Sequence, residues 1–184
     1  MLGIAYRDTQ RNVSVLASLI SQTGKPPFAP RVAVQKFAGE LRAFGLRQVV
    51  GDAYAGQTFR QDFQENGIQY IVSDKPKWQL YEEFEPKLNA GEVEFLDHPK
   101  LQEQLLTLIV KPSGKIDHQN GDHDDWANAA TAAIALCHDS KAWVMKINPD
   151  VVREMERNRQ VRSYCQQLGI DMPLGMKTFI AGRL

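Results

Sequence analysis

The sequence predicts an α/β protein whose sheet contains strands of mixed direction, with helices covering both faces. Short apolar runs of strand length alternate with longer stretches of helical period, the signature of a layered α/β fold. The first two runs are joined by a short polar turn, so the sheet opens on an antiparallel hairpin and cannot be purely parallel. With 184 residues, 43% of them hydrophobic and 24% charged, the chain suits one globular domain with a real core.

"LGIAYRD" and "NVSVLASLIS" are the hairpin strands, turning at Asp8–Asn12. The Pro-rich "GKPPFAP" leads into a helix that starts near Pro30. Val34, Phe37, Ala38, Leu41 and Phe44 share one face of it, and Gly45 marks its end. "RQVVGD" is a short buried-type strand closing on Gly51 and Asp52. The next helix places Phe59 and Phe63 one turn apart and stops at Gly67. "IQYIVSD" is again a strand. "PKWQLYEEFEPKLNAG" is helical through Trp78, Tyr81, Phe84 and Leu88, with Pro86 set to kink or divide it. "EVEFL" reads as a strand, "PKLQEQLLTLIV" as a helix begun by Pro99, "KPSGKIDHQNGDH" as a polar loop, and "GDHDDWANAATAAIAL" as the entry to a core helix. The remainder, 141–184, has a different texture. Asn148 and Pro149 open a charged amphipathic helix there, and the end is rich in glycine, so two units are expected: 1–140 and a helical extension.

Lys+Arg and Asp+Glu both number 22, so bulk charge selects neither a nucleic acid nor a membrane surface. Any nucleic-acid contact must come from local patches; Lys75 and Lys77 beside Trp78, and Lys111 with Lys115, are the candidates for phosphate. Trp78 itself is expected in the core. The basic-acidic run Arg153–Arg162 reads as a solvated face. Cys137, in an apolar helical run, is expected to be a buried small hydrophobe, and with Cys165 it matches no paired metal spacing. No apolar stretch is long enough to span a bilayer, and the first ten residues lack the blocks of a signal peptide, which points to the cytoplasm. The absence of G-x-x-x-x-G-K-[ST] excludes a P-loop motor within these residues.

The carboxylates carry the chemical interest. Asp52 ends a strand where α/β sheets bind ligands, and capping the following helix is the competing role. Asp122, Asp124 and Asp125 crowd the start of the alanine-rich helix, with His123 among them. One acid there would satisfy a cap; adjacent carboxylates repel unless a cation or proton intervenes. Hard divalent cations prefer oxygen ligands, and a pair of such ions can hydrolyse a phosphodiester, provided carboxylates converge from separate elements. The region lacks the order of an EF-hand, and its histidines have no cysteine partners for a structural zinc.

Taken in order, "VVGDAYAGQTFRQDFQENGIQY", "KPKWQLYEEFEPKLNAGEVEFLDHPKLQEQL" and "GDHDDWANAATAAIAL" resemble the C-terminal nuclease domain of the phage terminase large subunit, over roughly Leu2 to Leu136. The resemblance implies an RNase H-like mixed sheet and a metal-dependent endonuclease that cuts concatemeric double-stranded viral DNA with two Mg²⁺ or Mn²⁺ ions. It implies partnership with a terminase ATPase domain or subunit, the portal protein and the small terminase, in the host cytoplasm. Asp52 matches the acid of G-D-x-Y-A, and Asp124 and Asp125 match the H-D-D pair; these three are the implied catalytic metal ligands. His123 matches the adjoining histidine, in an auxiliary role, and Asn128 packs the helix start.

The family's first catalytic Asp lies on a strand ahead of the hairpin. Here Met1 falls on what resembles the second strand, and Asp8 sits beyond it in the turn. An incomplete metal site, an open central sheet edge and weak or absent cleavage by the isolated chain are therefore expected. The alternatives are a non-catalytic DNA- or portal-docking remnant of the same fold, and another RNase H-like nuclease such as a junction resolvase. "LNAGEVEFLDHPKL" argues against the resolvase.

Overall fold

The computed structural model describes residues 1–22, 29–52 and 57–138. The expected C-terminal extension, the Pro-rich connector, the turn after Asp52, Cys165 and the Arg153–Arg162 run lie, wholly or for the most part, outside the described residues.

Strands β1 (Leu2–Asp8) and β2 (Val13–Ile20) pair antiparallel from Leu2↔Ile20 to Asp8↔Val13, with a register shift between Ile4 and Ala5. Their turn is built by Asp8, whose Oδ1 accepts the backbone N–H groups of Gln10 (3.0 Å) and Arg11 (3.1 Å). Asn12 completes it at φ 56°, a left-handed conformation that asparagine tolerates well. The Arg11 guanidinium hydrogen-bonds the other Asp8 oxygen at 2.6 Å and holds this carboxyl below the usual carboxylate range. Strand β3 (Gln48–Gly51) pairs parallel with β4 (Gln69–Val72), and β5 (Val93–Glu94) pairs parallel with β2. The directions are therefore mixed, as expected.

The sheet is interrupted. One piece has the order β1-β2-β5, and β3-β4 is a second piece that is not hydrogen-bonded to it. The two pieces nevertheless share one core. Leu2 and Ile4 of β1 pack with Val34, Phe37, Ala38 and Leu41 of α1 (Pro30–Ala43), Phe63 of α2 (Gln57–Glu65) and Ile68, with Val49 and Tyr70 against them. A second core joins Leu16 and Leu19 of β2 to Phe84 of α3 (Lys77–Asn89), Leu101 of α4 (Pro99–Leu106) and Ala130 and Ile134 of α5 (Asp125–His138). Helix α3 runs through Pro86 undivided, because the proline lies in the last turn and removes only one helical hydrogen bond.

One element differs from expectation. The predicted helix "PKLQEQLLTLIV" stops at Leu106. Thr107 ends it: its hydroxyl donates back to the carbonyls of Glu103 (3.1 Å) and Gln104 (3.2 Å), a competing local bond. Ile109–Val110 instead form β6, paired antiparallel with β7 (Ile116–Asp117) around a turn at Gly114, whose φ is +80°. Part of the expected polar loop is thus a hairpin, and Val110 stays 69% exposed. Cys137 is half-buried rather than fully buried; its thiol donates to the Ile134 carbonyl at 3.2 Å, and burial pushes its pKa up. Among the described residues no helix is long and apolar enough to cross a membrane.

Candidate metal centre

Helix α5 is the axis of the site. Its buried face is mostly small, Ala127, Ala130, Thr131 and Ala135 with Ile134, which lets it lie close against the sheet. A Cβ added at Gly3 of β1 would stand 2.3 Å from the Ala129 carbonyl oxygen, so strand and helix backbones are nearly in contact. This approach sets the position of the α5 N-terminus and the acids there.

Asp124 occupies the N-cap position: its carbonyl accepts the first helical bond, from Asn128 N–H at 2.7 Å. An aspartate there ordinarily turns its carboxylate onto the N–H groups two and three residues on. Here those donors are taken. Gln104 of α4 places Oε1 at 2.8 Å from Trp126 N and 3.1 Å from Ala127 N. The cap comes from another helix, and the Asp124 carboxylate is released to face α3. There Tyr81 O–H donates to its Oδ2 at 2.8 Å, and Lys77 Nζ lies 3.0 Å from the same oxygen. Lys77 and Tyr81 are four residues apart on α3, hence on one face. Asp124 is only 7% exposed.

Replacing Gln104 with Leu is therefore expected to remove the α5 cap. Loss of a cap costs about 1 kcal/mol, and thermal melting should show a Tm lower by about 2–4 °C. An unchanged Tm would mean that this cap contributes nothing.

The β6–β7 hairpin supplies the rest. Asp117 Oδ1 accepts from Lys77 Nζ at 2.6 Å and from the His118 backbone N–H at 2.9 Å. His118 Nδ1 lies 2.7 Å from the Gln119 carbonyl oxygen, which can only accept, so Nδ1 carries the proton. In the neutral ring Nε2 then bears a lone pair; it sits 3.7 Å from Asp117 Oδ1. A ring nitrogen anchored on a carbonyl, with the other left open, is the usual posture of a metal-binding histidine. One ligand atom each from Asp117, His118 and Asp124 all fall within 4.8 Å of one another.

The electrostatics agree. The Lys77 hydrogen bond holds Asp117 below the usual carboxylate range. Burial lowers the Lys77 pKa, but hydrogen bonds to Asp117 and Asp124 outweigh it and the net shift is upward. Burial, then the Asp124 charge, pushes the Tyr81 hydroxyl far up, so it remains a donor.

The residues expected from sequence are distributed differently. Asp124 is in the group. Asp125, first residue of α5, is exposed; its charge acts on Tyr81 and on the Met1 amino group, but among the described residues it belongs to no ligand triplet. His123 is exposed and also outside the group. Asp52 is exposed at the end of β3, in the other sheet piece, where Tyr70 O–H donates to its carbonyl at 3.0 Å. A Cβ at Gly51 would come within 2.0 Å of that hydroxyl, so the glycine beside Asp52 makes room for this bond. Asp117, His118 and Gln104 were missed. The strand-like "ID" after a Gly-containing turn was the available signal for the first two; nothing local marks Gln104.

The lysines named for phosphate contact have protein partners. Lys75 pairs with Glu83 at 2.8 Å, Lys77 with the two carboxylates, and Lys111 with Asn120 at 3.0 Å. Lys115 Nζ stands 5.4 Å from the ring centre of half-buried Trp78.

This is a mixed α/β fold with an acidic, histidine-bearing group where a hairpin meets the N-terminus of a core helix. Two solved structures share the fold. The large terminase of bacteriophage HK97 aligns at 16% identity with a TM-score of 0.51, covering 63% of this chain and 26% of its own. The large terminase nuclease from thermophilic phage G20c aligns at 17% identity with a TM-score of 0.55, covering 76% of this chain and 81% of its own. This chain thus spans about a quarter of the first protein and most of the second. No protein-family model and no curated protein sequence matches.

Proposed function

We propose that this chain is the metal-dependent endonuclease portion of a viral DNA-packaging terminase, acting on double-stranded DNA by two-metal phosphodiester hydrolysis. The observation that carries the reading is the release of Asp124 from its capping duty, which gathers it with Asp117 and His118. The fold shared with phage terminase nucleases supports it.

In this reading Asp124, Asp117 and His118 hold one Mg²⁺ or Mn²⁺ ion, and Asp52 and Asp125 are the further carboxylates that the family pattern assigns to the ions, with His123 auxiliary. The imidazole in the set favours Mn²⁺, the softer of the two. Bound there, a divalent ion supplies water activation and charge neutralisation at phosphorus. The chain's own residues orient the ligands: Tyr81 fixes the Asp124 oxygen, and the Gln119 carbonyl fixes the His118 ring. Lys111 and Lys115, at the turn of the β6–β7 hairpin, are the phosphate contacts of this reading. The ATPase, portal and small terminase belong to the same proposal.

A second reading, a non-catalytic docking remnant, draws on one observation: Lys77 already pairs with both carboxylates. Thermal melting of the full chain with and without Mn²⁺ separates the two. The nuclease reading expects Mn²⁺ to raise the Tm; no change at millimolar ion overturns it in favour of the remnant.

A further inference from the structure

We infer that Lys77 is a built-in counter-cation that occupies the metal centre and sets how much divalent ion is needed to load it. The inference rests on the nuclease reading and adds to it a residue that governs loading. The ammonium lies 2.6 Å from Asp117 Oδ1 and 3.0 Å from Asp124 Oδ2, bridging two of the three groups that can bind an ion. The ammonium holds one oxygen of each carboxylate and repels a second cation at this range, so it competes with a divalent ion for the group. Loading the site therefore works against Lys77 for as long as it stays on these oxygens.

Its surroundings permit that. Lys77 is half-buried with 31% of its side chain exposed, whereas Asp124 is enclosed, so the lysine is the member of the pair with solvent to move into. Lysine suits the role because its ammonium is a point charge on a flexible stem, without the planar two-point grip of a guanidinium. Tyr81 also donates to Asp124 Oδ2, which gives the carboxylate a partner independent of Lys77. Without an ion, Lys77 offsets part of the repulsion between the two carboxylates it bridges. Loading therefore needs enough ion to outcompete a resident charge, and the apparent affinity is the intrinsic affinity multiplied by the fraction of molecules whose site is open.

Isothermal titration of Mn²⁺ into the full chain tests this, with Lys77→Met removing the charge and keeping the stem. If the lysine is engaged about nine-tenths of the time, the apparent Kd of K77M falls about tenfold. Lys77→Gln should tighten binding in the same direction, which guards against a folding defect peculiar to one variant. Mn²⁺ should also raise the Tm of both variants more than that of the unsubstituted chain. Binding that is lost in Asp124→Asn but equally tight in K77M, K77Q and the unsubstituted chain overturns the lysine inference and leaves the nuclease reading standing. No Mn²⁺ binding in any of the four proteins overturns both.

Discussion

Asp124→Asn is expected to weaken Mn²⁺ binding by at least about 100-fold, because loss even of an outlying partner of a metal ligand costs 10–100-fold. It should also erase the ion-dependent rise in Tm. The substitution is close to isosteric, and the new amide oxygen can still accept from Tyr81, so the fold should survive. Lys77 retains Asp117 as a partner at 2.6 Å, which limits the cost without ion. What disappears is the enclosed negative charge on which the hairpin and α5 converge. Asp117→Asn should weaken binding next most. Asp52→Asn and Asp125→Asn, measured alongside, test the carboxylates assigned by family pattern. An Asp124→Asn chain that binds Mn²⁺ as the original does would remove Asp124 from the site.

Gly3→Val is the second large effect expected, a loss of about 3 kcal/mol, at the upper end of what overpacking costs. The obstruction is backbone: the added Cβ would meet the Ala129 carbonyl oxygen at 2.3 Å and its carbon at 2.9 Å. A side chain could rotate away, but α5 must move as a unit. Because α5 also carries Asp124 and Asp125, the displacement should weaken Mn²⁺ binding together with stability. Chemical denaturation with an Mn²⁺ titration checks both; a Gly3→Val chain with unchanged midpoint and affinity would show that the contact is not tight.

The hairpin, the helix from Pro30 and the Phe59–Phe63 helix were legible because their apolar residues repeat at a period that one face can bury, and their ends carry proline or glycine. The helix through Val110 was misread for a related reason. Apolar content runs on through "LTLIV", and only the Thr107 side-chain bonds and the pairing with β7 show where the helix ends. In the site, Asp124 stood out by charge density and by its match to the H-D-D pair. Asp117 and His118 did not, because a two-residue strand leaves almost no periodic trace and its partner is defined only by the folded hairpin.

By itself the sequence determined the alternation of strands and helices, the antiparallel opening, the small-residue face of α5 and the excess of carboxylates at its start. These are local properties, written in spacing and residue type. Whether Asp124 caps a helix or offers its carboxylate elsewhere was not local. Both roles use the same residue at the same position, and the choice depends on which acceptor reaches Trp126 N and Ala127 N first. Gln104, twenty-two residues away from Trp126, takes both donors once α4 packs beside α5. Only the tertiary structure decides that, because the competing hydrogen-bond acceptor is brought by another helix.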